Sequence, residues 1–145
     1  GNEDSCWREA GYQEALRAYG IEDNPALHDV GAFDDRQGQA ATERLLRQGV
    51  PFDAVFAGDD EAAMGCVQAL TQAGMRVPED VAVVGFDDVL FARLMTPKLT
   101  TVRAPIETAG RQAARMLISL IQGDDVERLM LLPTELIIRQ SCGCV

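Results

Sequence analysis

Aromatic residues are scarce in this sequence, at 6% of 145 positions, and histidine occurs once. The core must therefore come from aliphatic side chains, and the 47% hydrophobic content is ordinary for a globular chain built that way. No apolar run approaches the roughly 18 residues that a membrane-spanning helix needs. No basic-then-apolar leader opens the chain. Basic residues are in the minority: 13 Lys and Arg face 23 Asp and Glu, for a formal net charge of −10, and they are scattered rather than clustered. Binding to nucleic acid depends largely on neutralising phosphates with such residues, so this stretch is not expected to hold DNA by itself. The lone histidine, His28, reads as structural or exposed rather than as a ligand. Cys66 lies in a helical pattern and reads as a small buried hydrophobe. Cys6 stands alone, and the pair Cys142 and Cys144 has no second pair or histidine near it in sequence, which leaves a zinc site little support. Free thiols in a reducing cytoplasm are the expectation, with no metal and no cofactor.

What is present is an alternation of short apolar runs and amphipathic segments, the pattern of a parallel sheet covered by helices. Asp4 and Ser5 are placed to cap a helix over about residues 5–19 that stops at Gly20. A strand is expected at Ala26–Val30, after the turn Asp23-Asn24-Pro25. A helix follows from Asp35 to Gln48 and stops at Gly49, then a strand at Ala54–Ala57. Ala63, Val67 and Leu70 share one face of a third helix, Asp60 to Gln72. The β-branched run Val81–Phe86 reads as a strand covered on both faces, and Thr100–Arg103 as a shorter one. Pro105 and Gly123 bracket the clearest helix, whose Ala109, Ala113, Met116, Leu117, Leu120 and Ile121 form an apolar face expected to line a core. A last strand, Leu131 to Arg139, contains Pro133, which favours an edge or an interruption. No repeat or flexible linker divides the chain, so residues 1–145 read as one unit. It opens directly into a helix, and the strand that a βα architecture places first is expected to lie upstream.

In open parallel α/β sheets, ligands bind at the carboxyl ends of the strands. Two such ends here carry carboxylates: Gly58-Asp59-Asp60-Glu61 and Gly85-Phe86-Asp87-Asp88. The turn Ala32-Phe33-Asp34 brings an aromatic ring to the same rim, and Arg8 adds a planar group with five donors. Carboxylates that accept from paired hydroxyls beside an aromatic face suit a polyol or sugar. Plainer roles exist for each residue: an Asp at a strand-to-helix turn often only caps the helix, Phe33 fits a core, and Arg8 fits a solvated helix face. Their coincidence at one rim favours the ligand-binding reading.

These residues also carry a resemblance. Arg8-Glu9-Ala10-Gly11-Tyr12-Gln13-Glu14-Ala15-Leu16 resembles the Arg-x-x-Gly-aromatic-x-x-Ala-Leu segment of the lactose/galactose repressor (LacI-type) family. The stretch from Val55 to Gly65 is similar to that family's strand-plus-helix signature, and that from Gly74 to Asp88 to its most specific segment. Thr96-Pro97-Lys98-Leu99-Thr100-Thr101-Val102-Arg103 matches its crossover, and Leu-Pro-Thr-Glu-Leu-Ile-Ile-Arg closes the series. The order and spacing hold over nearly the whole chain.

The resemblance implies a periplasmic-binding-protein-like (type I) α/β domain, of which this chain holds mainly the C-terminal lobe as a parallel-sheet three-layer unit. The helix at about 105–122 would belong to the other lobe. It further implies that Arg8, Phe33, Asp59 and Asp87 contact a small-molecule effector, a sugar or related polar metabolite, and that no residue is catalytic. Homodimerisation would use the helices 35–48 and 60–72 and the segment 89–99, with Leu90, Phe91, Leu94 and Met95 at the interface. DNA would be reached only through a domain absent from this chain, with no membrane involved. The Ser141-Cys142-Gly143-Cys144 tail departs from many DNA-binding members, which leaves open a sensor with another output domain. A transport-type solute-binding protein shares the fold. A magnesium-dependent phosphoryl-transfer enzyme built on Asp59, Asp60, Asp87 and Asp88 is the contrasting chemistry.

Overall fold

The computed structural model describes residues 3–127 and 129–144; the two ends of the expected unit and Arg128 lie outside the described residues. The elements run α1 (Glu3–Ala18), α2 (Asp35–Gln48), β1 (Ala54–Phe56), α3 (Asp60–Gln72), β2 (Ala82–Phe86), β3 (Thr100–Arg103), α4 (Ile106–Gln122) and β4 (Glu135–Ile137). One four-stranded sheet has the order β1-β2-β3-β4. The first three strands are parallel, in register Val55 to Val83 and Gly85 to Thr101, whereas β4 returns antiparallel with Val102 opposite Leu136. The class is α/β, as the alternation implied, with the antiparallel strand at one edge. Pro133 lies outside β4, and the last strand is shorter than the apolar run 131–139 suggested.

The pleat sorts side chains by parity. Val83, Gly85 and Thr101 face α3, which supplies Ala63, Cys66, Val67 and Leu70 to a core closed by Val81, Ala92 and Leu99. α2 packs on the far side of α3, and the crossing is close because glycines sit at it. A Cβ on Gly38 would collide with the backbone of Ala62, and one on Gly65 with the backbone of Asp35. α2 ends at Gly49 in the left-handed region (φ 71°), where a residue without a Cβ has no steric penalty. On the opposite face, Phe56 and Phe86 meet Tyr12 and Arg8 of α1. α1 uses the half-buried positions Ser5, Arg8, Tyr12 and Leu16, one helical stripe.

Two expectations are corrected. Residues 26–30 do not form a strand: Pro25–Leu27 is a single 3-10 turn capped by Asn24, and the chain beyond it has no strand beside it among the described residues. A strand needs a partner for its backbone groups, and β1, the sheet edge, pairs only with β2. The segment is held instead by a two-pronged ion pair from Arg44 of α2 to Asp29, at 2.8 and 2.7 Å. The second correction concerns α4. Its apolar face lines no core here; none of its residues is buried, and Leu117, Leu120 and Ile121 are more than half exposed. His28, read from the sequence as structural or exposed, is half-buried, pairs with Asp23 at 2.6 Å and meets the Tyr12 ring edge-on.

Candidate functional site

The carboxyl ends of β1 and β2 and the start of α2 converge at one rim. Phe33 precedes α2, whose N-cap Asp34 accepts from Gln37 N at 3.0 Å. The Phe33 ring lies beside Gly58, where an added Cβ would stand 3.0 Å from its Cε1. Arg8 reaches in from α1. Its guanidinium carbon lies 5.1 Å from the Phe33 ring centroid and 4.3 Å from that of Phe86, and its Nη2 is 4.0 Å from Asp87 Oδ1. A guanidinium is weakly hydrated and sits well on aromatic faces. Arg8 is accordingly held by two rings with its side chain 19% exposed.

Asp59 stands at the same rim in a second role. Its Oδ1 accepts from Ala62 N at 2.7 Å, capping α3, and the residue is buried. It is near enough to act electrostatically on Asp87. Burial pushes the Asp87 carboxyl above the usual carboxylate range, Arg8 pulls it back down, and Asp59 and Asp4 add to the rise. All four sequence-picked residues thus meet on one ledge. Alongside it, a cleft of about 480 Å³ opens between α1 and the sheet, lined by Trp7, Arg8, Tyr12, Phe56 and Phe86 among others.

The backbone of the ledge is strained. Ala32 (φ 50°), Phe33 (φ 54°), Asp87 (φ 110°) and Asp88 (φ 55°) all adopt positive φ without being glycine. Such residues cost of order 1–3 kcal/mol each and gather where a site holds them in place. Four of them in the two turns that carry Phe33 and Asp87 mark this rim as constrained.

The neighbouring carboxylates are otherwise engaged. Asp60 is buried beneath the sheet and accepts from Thr101 Oγ1 at 2.5 Å and from Val89 N at 2.9 Å; its burial raises its pKa. A Cβ on Gly85 would strike it, which explains a glycine inside β2. Asp88 accepts from three arginines: Arg103 at 2.7 Å, Arg93 at 3.0 Å, and Arg139. Asp59, Asp60, Asp87 and Asp88 therefore face four separate sets of partners. Among the described residues no group of three or more His, Cys, Asp or Glu is placed to hold a metal ion.

Sequence reasoning missed Phe86, the nearer of the two rings under Arg8. Its parity with Ala82 and Val84 was the available signal, since these positions share the face of the strand opposite the core. The arginine trio on Asp88 could not be found that way, because Arg93, Arg103 and Arg139 come from three separate stretches of the chain. Of the four residues expected at a dimer interface, Leu90 and Leu94 are each 73% exposed, whereas Phe91 is half-buried and Met95 packs against the core. α3 offers less free surface than expected, because α2 and the sheet cover it.

A parallel-sheet lobe whose ledge lies at the strand tips defines the class, and comparison agrees. Residues 1–142 match the family described as the periplasmic binding protein-like domain, and the chain belongs to it. Its relatives are LacI-type transcriptional regulators. It is 42% identical to the regulator CelR of Thermobifida fusca over 132 residues, covering 90% of this chain and 39% of that protein. It is 37% identical over 145 residues to the probable repressor ExuR of Bacillus subtilis, covering 97% of this chain and 43% of that protein. The chain spans about two-fifths of the length of these relatives. Among solved structures, the CelR–cellobiose complex superposes with a TM-score of 0.89 at 41% identity, over 92% of this chain and 41% of that one. The lac repressor bound to ONPG superposes with a TM-score of 0.89 at 30% identity, over 95% of this chain and 42% of that one. Among the described residues no helix is long and apolar enough to cross a membrane.

Proposed function

We propose that this chain holds mainly the C-terminal lobe of the effector-sensing module of a LacI-type transcriptional regulator, and that its ledge forms one wall of a site for a sugar or similar polyhydroxy ligand. The observation that carries this is Arg8, fixed between the rings of Phe33 and Phe86 and directed at Asp87. A donor fork, an acceptor carboxylate and an apolar face lie within one ligand's width, which is what a sugar ring with its hydroxyl edges and C–H faces requires. Asp59 contributes as a second acceptor or through its cap on α3. Two related regulators of known structure, one in complex with cellobiose and one bound to ONPG, support the ligand class.

In this reading the module performs no chemical step. Effector binding shifts the balance between two lobe arrangements by its differential affinity, ~1–3 kcal/mol of coupling, and the output domain follows. α4 serves the opposing lobe, which accounts for its uncovered apolar face. The net charge of −10 leaves DNA contact to another domain, and a role in transcription fits a cytoplasmic protein. Leu90 and Leu94 mark a homodimer surface with Phe91 and Met95 beneath them, apolar area that a lone domain rarely exposes. A sensor coupled to a different output domain remains compatible with the Cys-Gly-Cys tail.

A thermal-shift panel of mono- and disaccharides against the full-length protein tests the proposal. A true effector at a hundred times its Kd adds about 2.7 kcal/mol, which raises Tm by roughly 5–10 °C for a domain of this size. Arg8→Met abolishes that rise. A sugar-dependent rise that survives Arg8→Met places the ligand elsewhere, and no rise with any sugar, sugar phosphate or purine removes the proposal.

A further inference from the structure

The 3-10 turn Gln140–Cys142 closes on Gly143 at φ 72°, a left-handed cap that folds the chain back so that Cys142 and Cys144 fall on one side. Cys144 N donates to Cys142 Sγ at 3.4 Å and Cys144 Sγ donates to the Cys142 carbonyl at 3.7 Å, while Cys142 Sγ donates to the Arg139 carbonyl at 3.5 Å. All four cysteines are free thiols. The other two differ in kind: Cys66 is buried in the core and Cys6 is exposed on α1. We propose that Cys142 and Cys144 form a vicinal dithiol that reacts with hydroperoxides and closes to an intrachain disulfide. This inference does not depend on the sugar-binding proposal.

The two sulfurs have different parts to play. Burial alone pushes the Cys142 thiol up, but hydrogen bonds from Thr100 and from the Cys144 side chain and backbone outweigh it and leave its pKa below the ordinary value. Contact with Cys142 raises that of Cys144. Cys142 therefore supplies the thiolate, which is the reactive form, and Cys144 the resolving thiol. In the first step the Cys142 thiolate attacks the peroxide: an S–O bond forms, the O–O bond breaks, and the alkoxide leaves and takes a proton to become an alcohol. In the second, Cys144 sulfur displaces the sulfenic hydroxyl: the S–S bond forms and water leaves. Overall, two thiols are oxidised and one hydroperoxide is reduced to an alcohol and water.

The turn is tied to the sheet near the amino ends of β2 and β3. Ser141, next to Cys142, is fully buried, donates to Val83 O at 2.6 Å and accepts from Thr100 N at 2.8 Å; Arg139, just before the turn, reaches Asp88. Closing the dithiol thus acts on the seam between β2 and β3.

Brief exposure of the full-length protein to tert-butyl hydroperoxide, alkylation of remaining thiols and tryptic cleavage after Arg139 read the reaction directly. The peptide beginning at Gln140 should lose the mass of two hydrogens, regain it with dithiothreitol, and do so roughly tenfold faster than the exposed reference thiol Cys6 is oxidised. In Cys144→Ser, dimedone should label Cys142. Oxidation of Cys6 at an equal or greater rate, disulfides only between chains, or dimedone labelling confined to Cys144 in Cys142→Ser would each overturn the proposal.

Discussion

Asp88 is the residue whose removal has the most readable consequence. Its side chain is 1% exposed and meets Arg139, itself 12% exposed, together with Arg93 and Arg103, which are 54% and 43% exposed. Burial acts to raise its pKa, yet the hydrogen bonds from Arg139, Arg103 and Arg93 overcome this and hold the carboxyl at about 2, against an ordinary value of 3.8. That drop corresponds to at most about 2.4 kcal/mol favouring the folded state. Two of the three guanidiniums are about half in water and screened, so ~1–2 kcal/mol is the working figure. Asp88→Asn keeps the shape and removes the charge, and at neutral pH it should lower Tm by roughly 3–8 °C. The pH dependence follows from the direction of the shift. A carboxyl with a depressed folded pKa stabilises fully above its unfolded pKa and loses that contribution as pH falls through the folded one. The gap between parent and variant should therefore be constant from pH 7 to about 5 and narrow between about pH 4 and 2. Urea unfolding at pH 7 and pH 3 measures it. Equal midpoints at pH 7, or a gap undiminished at pH 3, would refute the assignment of Asp88 as the electrostatic hub.

Other substitutions separate roles that share a position. Asp59→Ser retains an N-cap side chain and should cost at most a few tenths of a kcal/mol, whereas Asp59→Ala should cost ~1 kcal/mol; if Asp59 also touches the effector, Ser lowers sugar affinity while Tm without ligand stays put in calorimetry. Gly38→Ala drives a methyl group into the backbone of Ala62 and should destabilise by about 1–3 kcal/mol in chemical denaturation, despite alanine's better helix propensity. Leu94→Glu places a charge on the exposed apolar segment and should convert the expected dimer to monomer in sedimentation; an unchanged dimer puts the interface elsewhere.

The sequence was most informative where a residue type has one physical use. Gly49 and Gly123 stop helices at positive φ where their neighbours' periodicity ends, and the run 81–86 supplies the buried central strand. The ledge was legible because strand tips are read from strand ends, so Phe33, Asp59 and Asp87 could be placed once β1, β2 and α2 were. Ala26–Val30 was misread because strand formation is a property of the pair, and the partner lies in no local pattern. α4 shows the complementary limit: periodicity identifies an apolar face but not what covers it. The Asp88 hub is a long-range coincidence of charges, with Arg139 51 residues away.

The most direct test of the ledge is isothermal titration of the best sugar from the thermal panel into the full-length parent protein and into Asp87→Asn. Loss of a charged acceptor removes about 1.5–3 kcal/mol, so the account predicts affinity weaker by roughly ten- to a hundredfold with Tm in the absence of ligand little changed. An unchanged Kd would contradict it.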